Sequence, residues 1–126
     1  MDIFDPLVND PTPGLRIHNP GNVKHPRKGT MRGGSSRQPH RNLHCFTDSV
    51  YGIRALANQE IQGAVPGVTT LGDLFPTPVI NLAGLDRTTV FVRETHLEKL
   101  VAASIERRCG WQPYTQETIA TGCRMA

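Results

Sequence analysis

The chain predicts a mainly α domain (α+β), with a minor β-hairpin or loop lobe and an extended N-terminal arm. Three observations carry that expectation. Apolar residues recur at helical spacing through 46–63 and again through 97–109. Residues 24–44 show no periodicity. Twelve glycines and ten prolines among 126 residues call for short elements and frequent loops. With 37% apolar residues and few aromatics, the chain can bury one modest core. It therefore divides into an arm, 1–13, and a single domain, 14–126.

Each element has its own reason. The arm carries Pro6, Pro11 and Pro13, three aspartates, and the apolar pairs Ile3-Phe4 and Leu7-Val8. Such a segment cannot pack on itself; it either frays or docks on a partner. Residues 15–23 suit a short strand and turn. In "HNPGN", Pro20 pre-sets one φ angle, Gly21 accepts positive φ, and Asn19 and Asn22 can bond their own backbone. Residues 24–44, "KHPRKGTMRGGSSRQPHRNLH", read as a long basic loop or irregular hairpin. Thr47 or Asp48 then caps a helix with Val50, Ile53, Leu56, Ala57 and Ile61 on its apolar side, ended by Gly63. Thr69 or Thr70 caps one turn, Leu71 to Phe75, which Pro76 and Pro78 stop. A second helix is expected from near Asp86 through Cys109. Leu97, Leu100, Val101, Ser104 and Ile105 share its inner face, and Gly110 terminates it. Thr115 caps a last short helix, with Thr118 at its third position and Glu117 in the first turn.

Charge is distributed unevenly. Residues 11–47 contain seven lysines and arginines and no acid, while the rest holds seven basic and eleven acidic residues. A basic loop thus sits on a near-neutral to acidic body, within a net charge of +3. That loop suits phosphate contacts of the kind packaged DNA offers, yet no aromatic residue lies among its charges for base stacking. No run of eighteen apolar residues exists, so no membrane span is expected. The acidic start lacks a signal-peptide pattern. Cys45, Cys109 and Cys123 are an odd, scattered set, expected as free thiols. His40 and His44 beside Cys45, with His18 and His25 upstream, lack zinc-ligand spacing, so no metal and no cofactor is expected.

Three stretches together carry a family resemblance. "GLRIHNPGNV" resembles the "GIRNNNPGNI" signature of small bacteriophage virion proteins. "CFTDSVYGIRALA" is similar to the helix that follows it there, with its "G-I-R-A-L" core. "LVAASIERRCGWQPYTQETIATGCRMA" resembles that family's ending, "A-I-I-x-H-E-N-G-x-Q-P-Y-S-x-x-x-I-x-x-G-L-x-x-A". The matches span about half the chain in the family's order; residues 64–96 match poorly. The family in turn looks distantly like peptidoglycan glucosaminidases and lysozyme-like lytic enzymes, here with the order of turn and helix end permuted. The resemblance implies a small lysozyme-like domain built into a virion near tail or vertex, made in the host cytoplasm and present in multiple symmetric copies. Its implied partners are other virion proteins, with peptidoglycan and packaged DNA as alternatives.

One departure bears on activity. Glycoside cleavage needs a protonated carboxylic acid at the leaving oxygen. Counting back from Gly110, the family's Glu position is Arg108, and an arginine cannot be a general acid. At about 100° per residue, Arg108 falls in line with Leu97, Leu100 and Ile105, while Glu106 points to the opposite side. Asp48 or Glu60 is the expected acidic partner for Arg108. The expected function is therefore a virion structural protein without hydrolytic activity, with a virion-associated peptidoglycan hydrolase and a DNA-contacting packaging or ejection factor as alternatives. An active enzyme would draw its acid from Glu60, Glu98 or Glu106. Asn19, Asn22, Arg108, Trp111 and Tyr114 are the candidate cleft residues. Ile3, Phe4, Leu7 and Val8, with Arg27, Lys28, Arg32, Arg37 and Arg41, are the candidate partner-binding residues.

Overall fold

The computed structural model describes residues 18–21, 23–24, 32–34 and 46–126. The expectations for Ile3, Phe4, Leu7, Val8, Asn22, Arg27, Lys28, Arg37, Arg41 and Cys45, and for His25, His40 and His44, fall outside them. The mainly α class holds.

Helix α1, Ser49–Glu60, begins where Asp48, extended at φ −152°, accepts a hydrogen bond from the Val50 amide at 2.9 Å. It buries Ser49, Gly52, Ile53, Ala55, Leu56 and Ala57, more than a single stripe, because it is packed on two sides. Gly52 makes one contact possible: a Cβ there would lie 1.8 Å from the His18 carbonyl oxygen. Gly122 makes the other, since its Cβ would meet Ile53 Cγ2 at 2.5 Å. One face of α1 thus receives the 18–21 turn and the other the C-terminal helix.

Helix α2, Leu71–Leu74, is the expected single turn, with Asp73 accepting from both the amide and hydroxyl of Thr70 at 2.9 Å. That turn stops before Pro76 as expected, and helix α3, Thr77–Leu82, which was not expected, begins there. Pro76 is its N-cap and Pro78 stands in its first turn, where a missing N–H costs no intrahelical bond. Val79 and Ile80 anchor it in the core.

The helix expected from Asp86 starts later, at Arg93. Asp86 instead accepts from the amide and hydroxyl of Thr88, each at 2.8 Å, closing a turn. The β-branched Thr88, Thr89, Val90 and Val92 then favour extended chain. Thr70 and Val90 form an antiparallel bridge, held by Leu71 N–H to Thr89 O and Phe91 N–H to Thr69 O, both 2.8 Å. Helix α4, Arg93–Cys109, follows, its start fastened by the Val92 amide donating to His96 Nδ1 at 2.9 Å. Its expected inner face, Leu97, Leu100, Val101, Ser104 and Ile105, is buried, and Gly110 ends it in left-handed geometry at φ 81°. Helix α5, Gln116–Met125, starts as expected at Thr115, whose hydroxyl accepts from the Thr118 amide at 3.1 Å.

α1 packs chiefly across α5, and α4 touches α1, α3 and α5. Their inner faces, with Leu71, Phe75, Phe91 and Tyr114, make one core. A smaller cluster of Val23, Phe46 and Ala55, flanked by Tyr51, holds the small lobe to α1. There the Gly34–Phe46 antiparallel bridge and the Thr47 amide to Gly33 O bond, 2.9 Å, pair the middle of the basic stretch with the residues just before α1. No helix among the described residues is long and apolar enough to cross a membrane.

Candidate functional site

The "HNPG" turn is clamped by several side chains. Asn19 is fully buried, and its side-chain amide meets the Val23 peptide twice: Nδ2 donates to Val23 O at 2.7 Å, and Oδ1 accepts from Val23 N–H at 2.8 Å. His18, at φ 57°, places Nδ1 3.0 Å from the Ser49 hydroxyl. Gly21 sits against Leu56, and Arg108 donates to its carbonyl at 3.2 Å. Asn19 was expected to line a cleft; in the structure it is fully buried, with its amide directed at the Val23 peptide.

Arg108 also departs from expectation. It is exposed rather than enclosed with Leu97 and Ile105, and its guanidinium reaches back to the turn. The last turn of α4 thereby holds the start of the small lobe, across 87 residues of sequence. Of its two expected acidic partners, Asp48 caps α1, while Glu60 is the carboxyl whose titration senses the Arg108 charge.

Glu60 ends α1 and faces α4. Oε2 accepts from the Ser104 hydroxyl at 2.5 Å; Oε1 is enclosed and has no hydrogen-bond partner among the described residues. Burial pushes its pKa from 4.5 up to about 7, against the opposing pulls of the Ser104 bond and the Arg108 charge. A carboxyl half-protonated at neutral pH has the protonation state of a general acid. It lacks the access, because a general acid must come within hydrogen-bond reach of the oxygen it protonates.

The other two candidate acids lie elsewhere. Glu98 and Glu106 line a groove of about 320 Å³ between α4 and α5, with Tyr114 and Ile119 among its walls and Gln112 and Gln116 beside them. Gln112 is fixed there by donating to Ala102 O at 2.9 Å. Tyr114 is buried and Trp111 is exposed. Of the five candidates expected around one cleft, Asn22 lies outside the described residues, Asn19 and Arg108 belong to the turn side, Tyr114 to the α4–α5 groove, and Trp111 is exposed. Arg32 is exposed near the Gly33–Thr47 pairing.

The Glu60–Ser104 pair is what sequence reasoning missed. Ser104 stands in the apolar stripe of α4, and a lone hydroxyl in such a stripe signals a polar group opposite it. The partner, 44 residues away, is set by packing. Burial, reinforced by the Glu98 and Glu60 charges, pushes the Cys123 thiol up to about 12 despite Arg93 nearby, and Cys109 is buried and outside any disulfide. Among the described residues no group of three His, Cys, Asp or Glu could hold a metal ion.

No model of a known protein family matches the chain, and no curated protein matches it in sequence.

Proposed function

We propose that this chain is a structural component of a bacteriophage virion, a small lysozyme-like helical domain that binds neighbouring virion proteins and does not cleave glycan. The reading rests on the three motifs and on one observation at their junction. Where a hydrolase of this resemblance carries its acid, Arg108 extends to the Gly21 carbonyl and ties the end of α4 to the "NPG" turn. The motif residues are used on one another: Asn19 on Val23, Gly52 on His18, Arg108 on Gly21. Retention of those residues is then accounted for by folding. The arm and the basic loop are left as the surfaces that meet neighbours, in a protein made in the host cytoplasm and carried in the particle.

A second reading, a virion-associated peptidoglycan hydrolase, is favoured by one observation, the raised pKa of Glu60. The enclosure of Oε1 opposes it. Two measurements separate the readings. Gradient-purified particles are expected to contain the protein at a fixed copy number by quantitative mass spectrometry; its absence from them overturns the virion assignment. The purified protein is expected to leave a peptidoglycan suspension turbid, and clearing that is lost in Glu60→Gln would establish the hydrolase instead.

A further inference from the structure

Two contacts between α1 and α4 lie one helical turn apart on each helix. In the first, Glu60 Oε2 accepts from the Ser104 hydroxyl. The second passes through the 18–21 turn, at Leu56 in α1 and Arg108 in α4. Gly21 lies against Leu56, and its carbonyl accepts from Arg108 at 3.2 Å. Four residues of helix rise about 6 Å, so the Glu60 carboxyl and the Arg108 guanidinium stand on adjacent rungs.

The first rung is incomplete. Oε1 of Glu60 is enclosed and has no hydrogen-bond partner among the described residues. In the acid form that oxygen is a neutral carbonyl, and the observed arrangement suits it. In the ionised form it shares a negative charge, and burying an unpaired charge is far more costly than burying a neutral oxygen. Ionisation therefore calls for a new donor. Ser104 has one proton to donate and directs it at Oε2. On α5 the titratable neighbour is Cys123, whose thiol, pushed up to about 12, stays neutral. Arg54, on α1 itself, donates to Met125 O. In the turn, His18 is engaged with Ser49 at the opposite end of α1. The positive charge that acts on Glu60 is that of Arg108, whose long stem and five donors can serve either rung.

We propose that Glu60 is a pH-sensitive latch on the small lobe: while Glu60 is protonated Arg108 holds the Gly21 carbonyl, and when Glu60 ionises Arg108 turns to its carboxylate and releases that carbonyl. Burial sets the range in which the latch works, because it raises Glu60 from 4.5 to about 7. Below that midpoint the turn is tied to both helices. Above it, the hold on the helical body falls to α1, through Leu56 and the cluster of Val23, Phe46 and Ala55. The coupling is a property of the folded chain and holds whether or not the chain is carried in a virion.

The test follows the Glu60 Cδ, Gly21 carbonyl and Arg108 Cζ signals of the labelled full-length protein by carbon-detected NMR, from about pH 5 to about pH 9. All three are expected to shift together, with one midpoint near 7. In Glu60→Gln the Gly21 and Arg108 signals should be flat. In Arg108→Gln the Glu60 signal should still titrate, while the Gly21 carbonyl stays where the wild type arrives above the midpoint. A Gly21 carbonyl that is flat while Glu60 titrates overturns the proposal. So does a Gly21 step that persists in either variant, which would make His18 its source, or a Glu60 that titrates in the ordinary carboxylate range.

Discussion

Asn19 and Glu60 show how differently two buried polar side chains can be satisfied. Asn19 has its donor and acceptor both matched to the Val23 peptide, so removing the side chain strips two partners from a buried backbone unit. Asn19→Ala should cost about 2 kcal/mol in chemical denaturation, in keeping with buried groups left unpaired. Glu60 is matched on one oxygen only. Its folded pKa, about 7, lies above the ordinary 4.5, so the folded protein holds the proton more tightly than the unfolded chain. Stability from this group is fully present below about pH 4.5, falls as pH rises through 7, and is flat above. The loss amounts to about 3 kcal/mol at one pKa unit per 1.4 kcal/mol. Glu60→Gln should remove that slope and be the more stable protein at pH 8, as read from thermal unfolding across pH 4.5 to 8. A wild-type profile that is flat in that window would contradict the burial of this carboxyl. Asp73 and Asp86 do not blur the experiment. Hydrogen bonds from Thr70 and Thr88 hold them below 3.8, so their contributions are lost only at more acid pH.

At the scale of elements, legibility followed local chemistry. The caps at Asp48, Thr70 and Thr115, the stop at Gly110 and the inner face of α4 are written in neighbouring residues and could be read there. Two features could not. Pro76 and Pro78 read as breakers, yet a proline in a first turn is compatible with a helix, and whether one follows depends on Val79 and Ile80 finding a core. Residues 86–92 carry helix-compatible spacing, but the Asp86 turn and the ladder with Thr69–Leu71 hold them extended, a pairing visible only in three dimensions. The same holds for the site, where Glu60 was legible as an acid but Ser104 was not legible as its partner. The glycines of α1 and α5 give the element-scale prediction. Gly52→Ala drives a Cβ into a backbone oxygen that cannot swing aside, and Gly122→Ala drives one into Ile53 and the Val50 carbonyl. Each should destabilise the protein by about 2 kcal/mol or more, Gly52→Ala the more severely, as read from denaturation midpoints.

For the molecule as a whole, the described part of the small lobe is held to the helical body along two seams of different chemistry. Val23, Phe46 and Ala55 form an apolar one, and Arg108 to Gly21 a polar one. Arg108→Gln should therefore leave the helical content intact and raise hydrogen exchange at Gly21 and Val23, since it removes a tie between α4 and the turn that Gly21 O accepts. The polarity of charge was legible from composition, because it needs only counting. The division of the candidate site into two sides was not, because it depends on how α4 is rotated against α1 and α5.

The close seating of α5 on α1 also has a consequence for synthesis. Ile53 of α1 is met by the backbone at Gly122, and Arg54 donates to Met125 O, 71 residues on. A nascent chain still lacking those residues can form α1 locally but cannot pack it. α1 is thus expected to become packed only once residues through Met125 have been made. Chains arrested before Gly122 should be digested by protease through α1, while chains that extend past Met125 resist, and the change should come as α5 is completed rather than gradually along the chain.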